Sequence, residues 1–334
     1  MIGAVVQDRK ASARWQPRMV GGSDHAAAGD RSQTVAILLS VYNGEAYLNQ
    51  QLDSFLGQTH DDWILYWRDD GSTDASRAIM LSFEANRGRG RCVEVTSIEG
   101  RLGIAGSYWL LLSEIPEYQA IAFSDQDDVW LPEKLAWGVA ALRARGRRPA
   151  LYCARQYLTD SDLRVTGRSQ PLHHAPSFLS ALTQNVATGH TIMLNSQAHA
   201  ALREFAPPAS VLHDWWSYLV VSGAGGDVIF DDRCVTYYRQ HRRNAIGARS
   251  SLVLRGLAAL QRGPRVFMTI FAANVARLSS RPERLSVDNR AVLRRLAQAL
   301  RAGRLSRLKL LRALPGMVRQ SAWETLIFRL WFLR

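Results

Sequence analysis

Three apolar runs in the N-terminal half each stop on a polar, acid-bearing motif. "TVAILLSVY" (Thr34–Tyr42) runs into "NGE", "DWILYWRDD" (Asp62–Asp70) into "GSTD", and "YQAIAFSD" (Tyr118–Asp125) into "QDD". Short, β-rich apolar runs suit strands buried on both faces of a sheet. Helical patterns separate them. Leu48, Leu52, Phe55 and Leu56 recur at helical spacing in "GEAYLNQQLDSFLGQ", and Ser72 or Thr73 can cap a helix through Ala78, Ile79 and Phe83. A further strand at Cys92–Ser97, a helix around Gly106–Ser113 and a helix opening near Pro132 continue the alternation. This order predicts a parallel, nucleotide-binding type of α/β sheet, whose ligands sit beyond the carboxyl ends of the strands. Three acidic motifs on one sheet edge form one site.

Within that site, Tyr42, Asn43 and Glu45 of the first motif, Asp69 and Asp70 of the second, and Asp125 and Gln126 of the third are the candidate donor-binding residues. Asp125, Asp127 and Asp128 place three carboxylates in four positions. A hard divalent cation, Mg²⁺ or Mn²⁺, would offset their repulsion and favours such oxygen ligands. Side-chain alternation in an extended segment puts Asp125 and Asp127 on one side, where they can hold metal or ribose. The plain alternative is a solvated acidic turn with Asp128 capping the next helix. Either Asp69 or Asp70 can accept a hydrogen bond from the imide N–H of a uracil or thymine ring, with Tyr42 packing on the base. Turn and cap chemistry alone also accounts for "DDGSTD".

The second half is less regular. "ALYCARQYL" reads as a strand, a polar loop follows to Pro171, and "DVIFDDRCVTYYRQH" reads as a strand or hairpin. "HDWW" (His213–Trp216) sets a carboxylate beside two tryptophans. Partial desolvation raises a carboxyl pKa and strengthens it as a proton acceptor, so Asp214 is a general-base candidate. His213, Trp215 and Trp216, with Trp130, are candidates for a sugar or acceptor pocket. A helix cap at Asp214 with core tryptophans is the competing reading. His241, amid Arg239, Arg242 and Arg243, is a candidate for metal or diphosphate.

Charge divides the chain. Residues 250–334 carry 17 Arg or Lys against three acids, a net of +14, while the remaining 249 residues hold 25 basic and 26 acidic groups. Leucines at helical spacing among these arginines predict amphipathic helices over 249–334, suited either to an anionic membrane surface or to packing on the rest of the protein. Nucleic-acid binding through this basic tail is the reading from another class, but it has no RNP or zinc-finger pattern to support it. Residues 1–33 read as a disordered extension without the apolar core of a signal peptide, and no window of about 18 apolar residues marks a membrane span. The three scattered cysteines fit a reducing compartment. A cytoplasmic protein, peripheral at the inner face of the membrane, is the expectation.

Taken together, "ILLSVYNGEAYLNQQLDSFLGQTHDDW", "DDGSTD", "IAFSDQDDVWLPEKL", "QNVATGHTIMLN", "HDWW" and "YRQHRRNAIGA" resemble the family 2 glycosyltransferases, most closely the bacterial rhamnosyltransferase-like branch. The resemblance spans roughly Val35 to Ala248. It implies a GT-A fold over 34–248, a Rossmann-like nucleotide-binding mixed sheet flanked by helices, followed by an α-helical C-terminal extension. It further implies a nucleotide-diphospho-sugar donor, dTDP-L-rhamnose with another UDP- or GDP-linked sugar as the alternative, and a divalent metal held by Asp125, Asp127 and His241. Asp214 corresponds to the base of an inverting transfer to a saccharide or lipid-linked acceptor. The chain departs from the branch at Arg68, where a small residue is usual, at Ser107 in place of asparagine, and at Arg242 in place of glycine.

Overall fold

The computed structural model describes residues 34–241 and 252–334, and side chains of the second stretch from Gly263 onward. The expected extension over 1–33, and Arg242 and Arg243, lie outside the described residues. In chain order the elements are β1 (Val35–Val41), α1 (Leu48–Leu56), β2 (Trp63–Asp69), α2 (Ser76–Asn86), β3 (Cys92–Glu94), α3 (Gly103–Glu114), β4 (Ala120–Ser124), β5 (Val129–Trp130), α4 (Lys134–Arg143), β6 (Ala150–Thr159) and β7 (Val165–Arg168). They continue as α5 (Phe178–Thr183), β8 (Met193–Asn195), α6 (Ser196–Arg203), α7 (His213–Gly223), β9 (Asp227–Arg239), α8 (Leu252–Ser279), α9 (Val287–Ala302), α10 (Arg304–Ala313) and α11 (Ala322–Phe332).

The described strands form one sheet in the order β3-β2-β1-β4-β8-β6-β9-β5, with β7 on β6. Its first part is parallel, as the β-α alternation requires. Beyond β4 the sheet turns mixed, because β8 runs antiparallel to both β4 and β6. The mixed sheet that the resemblance implies is therefore the one observed, with the β-α alternation accounting for its parallel part. The two short strands β7 and β8 sit in stretches whose polar and helical signals hide them.

Strand alternation sorts the core into two layers. Val35, Ile37, Leu39 and Val41 of β1 face α1, α2 and α4, while Ala36 and Leu38 face the opposite layer with α3 and α7. That second layer takes in the C-terminal helices: Phe271 of α8, Leu296 of α9 and Phe328 and Phe332 of α11 share a cluster with Trp216 and Leu219 of α7. Helix α8 breaks at Gly263, whose φ of 76° is open to glycine, just before Pro264.

The aromatic seam fixes the C-terminal helices. Phe328 is fully buried and lies 6.0 Å from Phe267, 6.2 Å from Phe271 and 5.8 Å from Phe332 between ring centroids. Phe328→Ala is expected to cost about 3–5 kcal/mol of stability in chemical denaturation. Leu305→Ser, at a position 77% exposed, should stay within about 0.5 kcal/mol of wild type.

Candidate active site

Pairing register brings the three acidic motifs level. Val41 stands opposite Asp69 and Leu39 opposite Ser124, so the loops after β1, β2 and β4 leave the sheet at one edge. Those loops are then stitched together by their own side chains. Asn43, at φ 48°, donates its N–H to Ser72 Oγ at 3.0 Å and accepts the Thr73 N–H at 2.8 Å. Glu45 accepts the Ala75 N–H at 3.0 Å. Gln126 clamps the Tyr42 backbone, accepting its N–H at 2.8 Å and donating to its carbonyl at 2.9 Å. Asn43, Glu45 and Gln126, expected on the donor, thus have these polar atoms engaged in building the edge. The Tyr42 ring carries the Arg101 guanidinium 4.1 Å from its centroid.

The two acids of "DDGSTD" separate by environment. Asp70 is buried with both oxygens engaged: its Oδ1 accepts from Arg68 at 2.5 Å and from the Leu102 N–H at 2.6 Å, and its Oδ2 from the Gly103 N–H at 2.8 Å. Asp69 is half-buried, with Oδ1 taken by the Ser72 N–H and hydroxyl at 3.1 and 2.5 Å. Of the two, Asp69 is the one with a carboxylate edge that these bonds leave open. Arg68 also donates to Ser107 Oγ at 2.8 Å and to the carbonyls of Ile98 and Gly100. Two of the departures from the rhamnosyltransferase-like pattern therefore bond to each other.

The carboxylate triplet does not alternate as an extended strand, because the chain bends after Ser124. Asp125 and Asp128 share the His190 ring, with Nδ1 3.4 Å from Asp125 Oδ2 and 3.1 Å from Asp128 Oδ2. Asp127 instead pairs with His241 at 2.9 Å. Burial pushes the Asp128 carboxyl up to about 8. Burial also raises Asp125, but His190, His213 and the Tyr108 hydroxyl outweigh it and hold Asp125 below its ordinary value. Burial lowers the His190 pKa, and the charges of Asp128 and Asp125 overcome this and raise it. Arg239, a diphosphate candidate, is buried and turned to the loop: its Nε donates to the Asp127 carbonyl at 2.9 Å, and its amino groups reach Ser161 O and Gln50 Oε1.

Asp125, Asp128 and His190 keep one ligand atom each within 4.8 Å of one another. Carboxylate oxygens with an imidazole nitrogen fit a divalent cation such as Mg²⁺ or Mn²⁺. Exposure distinguishes the acids. The side chains of Asp128 and His190 are 0% and 1% exposed, against 37% for Asp125, 18% for Asp127 and 13% for His241. Asp125, Asp127 and His241 thus reach the surface of the site, and Asp128 and His190 are sealed beneath it.

Helix α7 delivers Asp214. Its first-turn position is half-buried, its Oδ1 accepts the Trp215 N–H at 2.6 Å, and burial lifts its pKa to about 6. Leu212, not Asp214, occupies the cap position. The aromatic candidates turn inward. Trp216 is 2% exposed and donates to Phe205 O at 2.9 Å, and Trp215 donates to Ala181 O at 2.7 Å. Trp130 is 3% exposed, packed on Phe55 and under Lys134 Nζ, which lies 3.0 Å from its ring centroid. Trp130 and Trp216 are corrected from pocket to core, since a sealed indole offers no face to a sugar. His213 stacks on Tyr108 at 3.8 Å, and burial lowers its pKa to about 4.

Sequence reasoning missed His190, Tyr108 and Lys134. His190 lies in "ATGHT", and only the pairing of β8 with β4 reveals that it reaches the acids. Gly189 allows the fit, because a Cβ there would lie 2.8 Å from His213 Nε2 and 3.6 Å from Asp214 Cβ.

The description "Glycosyl transferase family 2" matches residues 36–206, and the chain belongs to that family. It is 24% identical over 222 residues to the dTDP-rhamnosyl transferase RfbG of Shigella flexneri, covering 64% of this chain and 75% of RfbG. Over 108 residues it is 31% identical to the Escherichia coli UDP-Glc:alpha-D-GlcNAc-diphosphoundecaprenol beta-1,3-glucosyltransferase WfgD, covering 32% of this chain and 40% of WfgD. The solved structure of S. aureus TarS superposes with a TM-score of 0.51 at 13% identity, over 80% of this chain and 43% of TarS. The mixed sheet with flanking helices is the GT-A arrangement, and the protein is a glycosyltransferase that uses a nucleotide sugar.

Removing Arg68 would leave Asp70 without its charged partner and free the 98–103 segment. Arg68→Ala is expected to cost about 3 kcal/mol in urea denaturation, and Arg68→Lys, which cannot span both loops, should recover only part of it.

Proposed function

We propose that the protein is an inverting, metal-dependent transferase that moves L-rhamnose from dTDP-L-rhamnose to a hydroxyl of a saccharide or lipid-linked saccharide acceptor in cell-surface polysaccharide biosynthesis. The observation that carries this reading is the approach of Asp214 to the carboxylate triplet. Gly189 packs beside Asp214, and the next residue, His190, contacts Asp125 and Asp128. The relative named as a dTDP-rhamnosyl transferase supports the donor assignment. The relative named for UDP-Glc keeps a glucosyl donor as the second reading.

Asp127 and His241, with Asp125 alongside, would hold the divalent cation. Held there, a divalent cation would supply positive charge against the negative charge that grows on the leaving diphosphate. Asp69 accepts the imide N–H of the base, and the Tyr42 ring packs on it. Asp214 takes the proton from the acceptor hydroxyl as that oxygen attacks the anomeric carbon from the face opposite the diphosphate. With a pKa raised to about 6, it is ionised at neutral pH yet more basic than an ordinary carboxylate. No protein acid is needed, because the leaving group departs as a stabilised anion. Hydrolysis of a glycoside would instead require two carboxyl groups across the bond.

Ligands that bind the native state raise its melting temperature. With Mn²⁺ present, dTDP-L-rhamnose should raise it more than UDP-glucose or GDP-mannose; a larger shift with UDP-glucose would establish the second reading. Asp127→Ala should lose the Mn²⁺-dependent part of the shift, whereas Asp128→Asn should lower the unliganded melting temperature and keep that part. The reverse pattern would move the cation to the buried set.

Asp214→Asn should retain the donor shift and lose roughly 10²–10⁴ in turnover, the usual contribution of a general base. In the wild type, a base must be unprotonated to act. Its kcat/KM should therefore fall as pH drops through about 6, and a flat profile from pH 5 to 8 would exclude Asp214 as the base.

A further inference from the structure

Helix α11 is apolar on both sides. Ile327, Phe328, Trp331 and Phe332 point into the core, at 8%, 0%, 7% and 0% exposure. On the opposite face Trp323, Leu326 and Leu330 are 64%, 47% and 56% exposed, and their i, i+3, i+7 spacing puts them in one stripe. A helix apolar all round is normally buried all round, so this stripe calls for a cover. The surroundings identify its chemistry. Residues 252–334 hold 17 basic groups and three acids, and Arg301, Arg304, Lys309, Arg312 and Arg334 are exposed. Arg307 of α10 donates to Phe332 O at 3.2 Å and to Leu300 O at 3.0 Å, so the basic helix α10 meets the C-terminal end of α11.

We infer that the Trp323–Leu326–Leu330 face of α11 docks on an anionic lipid bilayer, with the exposed cations of α9 and α10 against the headgroups. A tryptophan and leucines on one face, flanked by arginines and lysine, is the composition of a helix that lies in the membrane interface. Among the described residues no helix is long and apolar enough to cross a membrane, so the contact lies on the surface. The inference concerns this helical surface alone and does not depend on which donor the active site takes.

The test is co-sedimentation of the full chain with vesicles of phosphatidylglycerol and phosphatidylcholine in equal parts, and with vesicles of phosphatidylcholine alone. The wild type should bind the anionic vesicles, and weaken with salt. The triple variant Trp323→Ser, Leu326→Ser, Leu330→Ser should bind at least about tenfold more weakly while melting like the wild type, since all three side chains are exposed. Arg304→Glu, Lys309→Glu and Arg312→Glu together, which leave the stripe intact, should lose binding to the anionic vesicles as well. Unchanged binding in the triple serine variant overturns the inference. Equal binding to both vesicles overturns its anionic part. A wild-type dimer in light scattering that the serine variant converts to monomer, without vesicle binding by either, would assign the stripe to a second copy of the chain and overturn it too.

Discussion

Three carboxylates in four residues set the terms for the rest of this fold. Unit charges 4 Å apart interact by about 4 kcal/mol at the effective dielectric of a protein surface, a large share of the roughly 5–15 kcal/mol that holds a domain together. The chain meets this by burial, which pushes Asp128 up to about 8, and with partners drawn from distant elements. His190, brought by β8, sits between Asp125 and Asp128, and His241, past the end of β9, pairs with Asp127. The Arg239 N–H reaches Asp128 Oδ1 at 3.1 Å. Lys134 lies beneath, sealed over Trp130; burial drives its pKa well down, against the pull of Asp128 and Asp125. The tryptophan beside the acids is thus the seat of a buried amine, not a wall of the sugar pocket. The mixed half of the sheet is what delivers His190, His241 and the Arg239 backbone N–H to these acids.

Polar residues at the sheet edge divide into those that build and those left open. Asn43, Glu45, Gln126 and Asp70 spend hydrogen bonds on neighbouring loops. That fixes the loops from which Asp69, Asp125 and Asp127 project. A site held by its own buried hydrogen bonds needs little reorganisation when a charged ligand arrives. The distinction bears on how motifs are read: the side chains of "DDGSTD" bond within their own turn and to neighbouring loops, so the string by itself does not mark a contact to a base.

The parallel half of the fold was legible because each strand is a continuous apolar run and each helix keeps its spacing. β7 and β8 were not, since three or four residues carry too little periodicity and their pairing partners are far away in sequence. Asp125, Asp127 and Asp214 stood out as charges in unexpected company. His190 did not, because a single histidine in a small-residue loop shows nothing until β8 pairs with β4. Trp216 of "HDWW" misled for a related reason: residues two apart on a helix point about 200° apart, and Trp216 faces the core on the side away from Asp214.

Arg68 and Ser107 show how two departures from a pattern can amount to none. An arginine where a small residue is usual demands volume and a counter-charge inside a packed edge. Serine in place of asparagine at 107 is the shorter side chain, and the guanidinium reaches its hydroxyl at 2.8 Å. Asp70 supplies the charge at 2.5 Å, and the carbonyls of Ile98 and Gly100 take further donors. A buried arginine with one of these partners missing would be costly, but with all of them it ties the start of α3 to the end of β2. The same substitutions, read singly, look like damage to the donor edge. Read as a bonded pair, they are an alternative way of holding the loop that carries Arg101 over Tyr42.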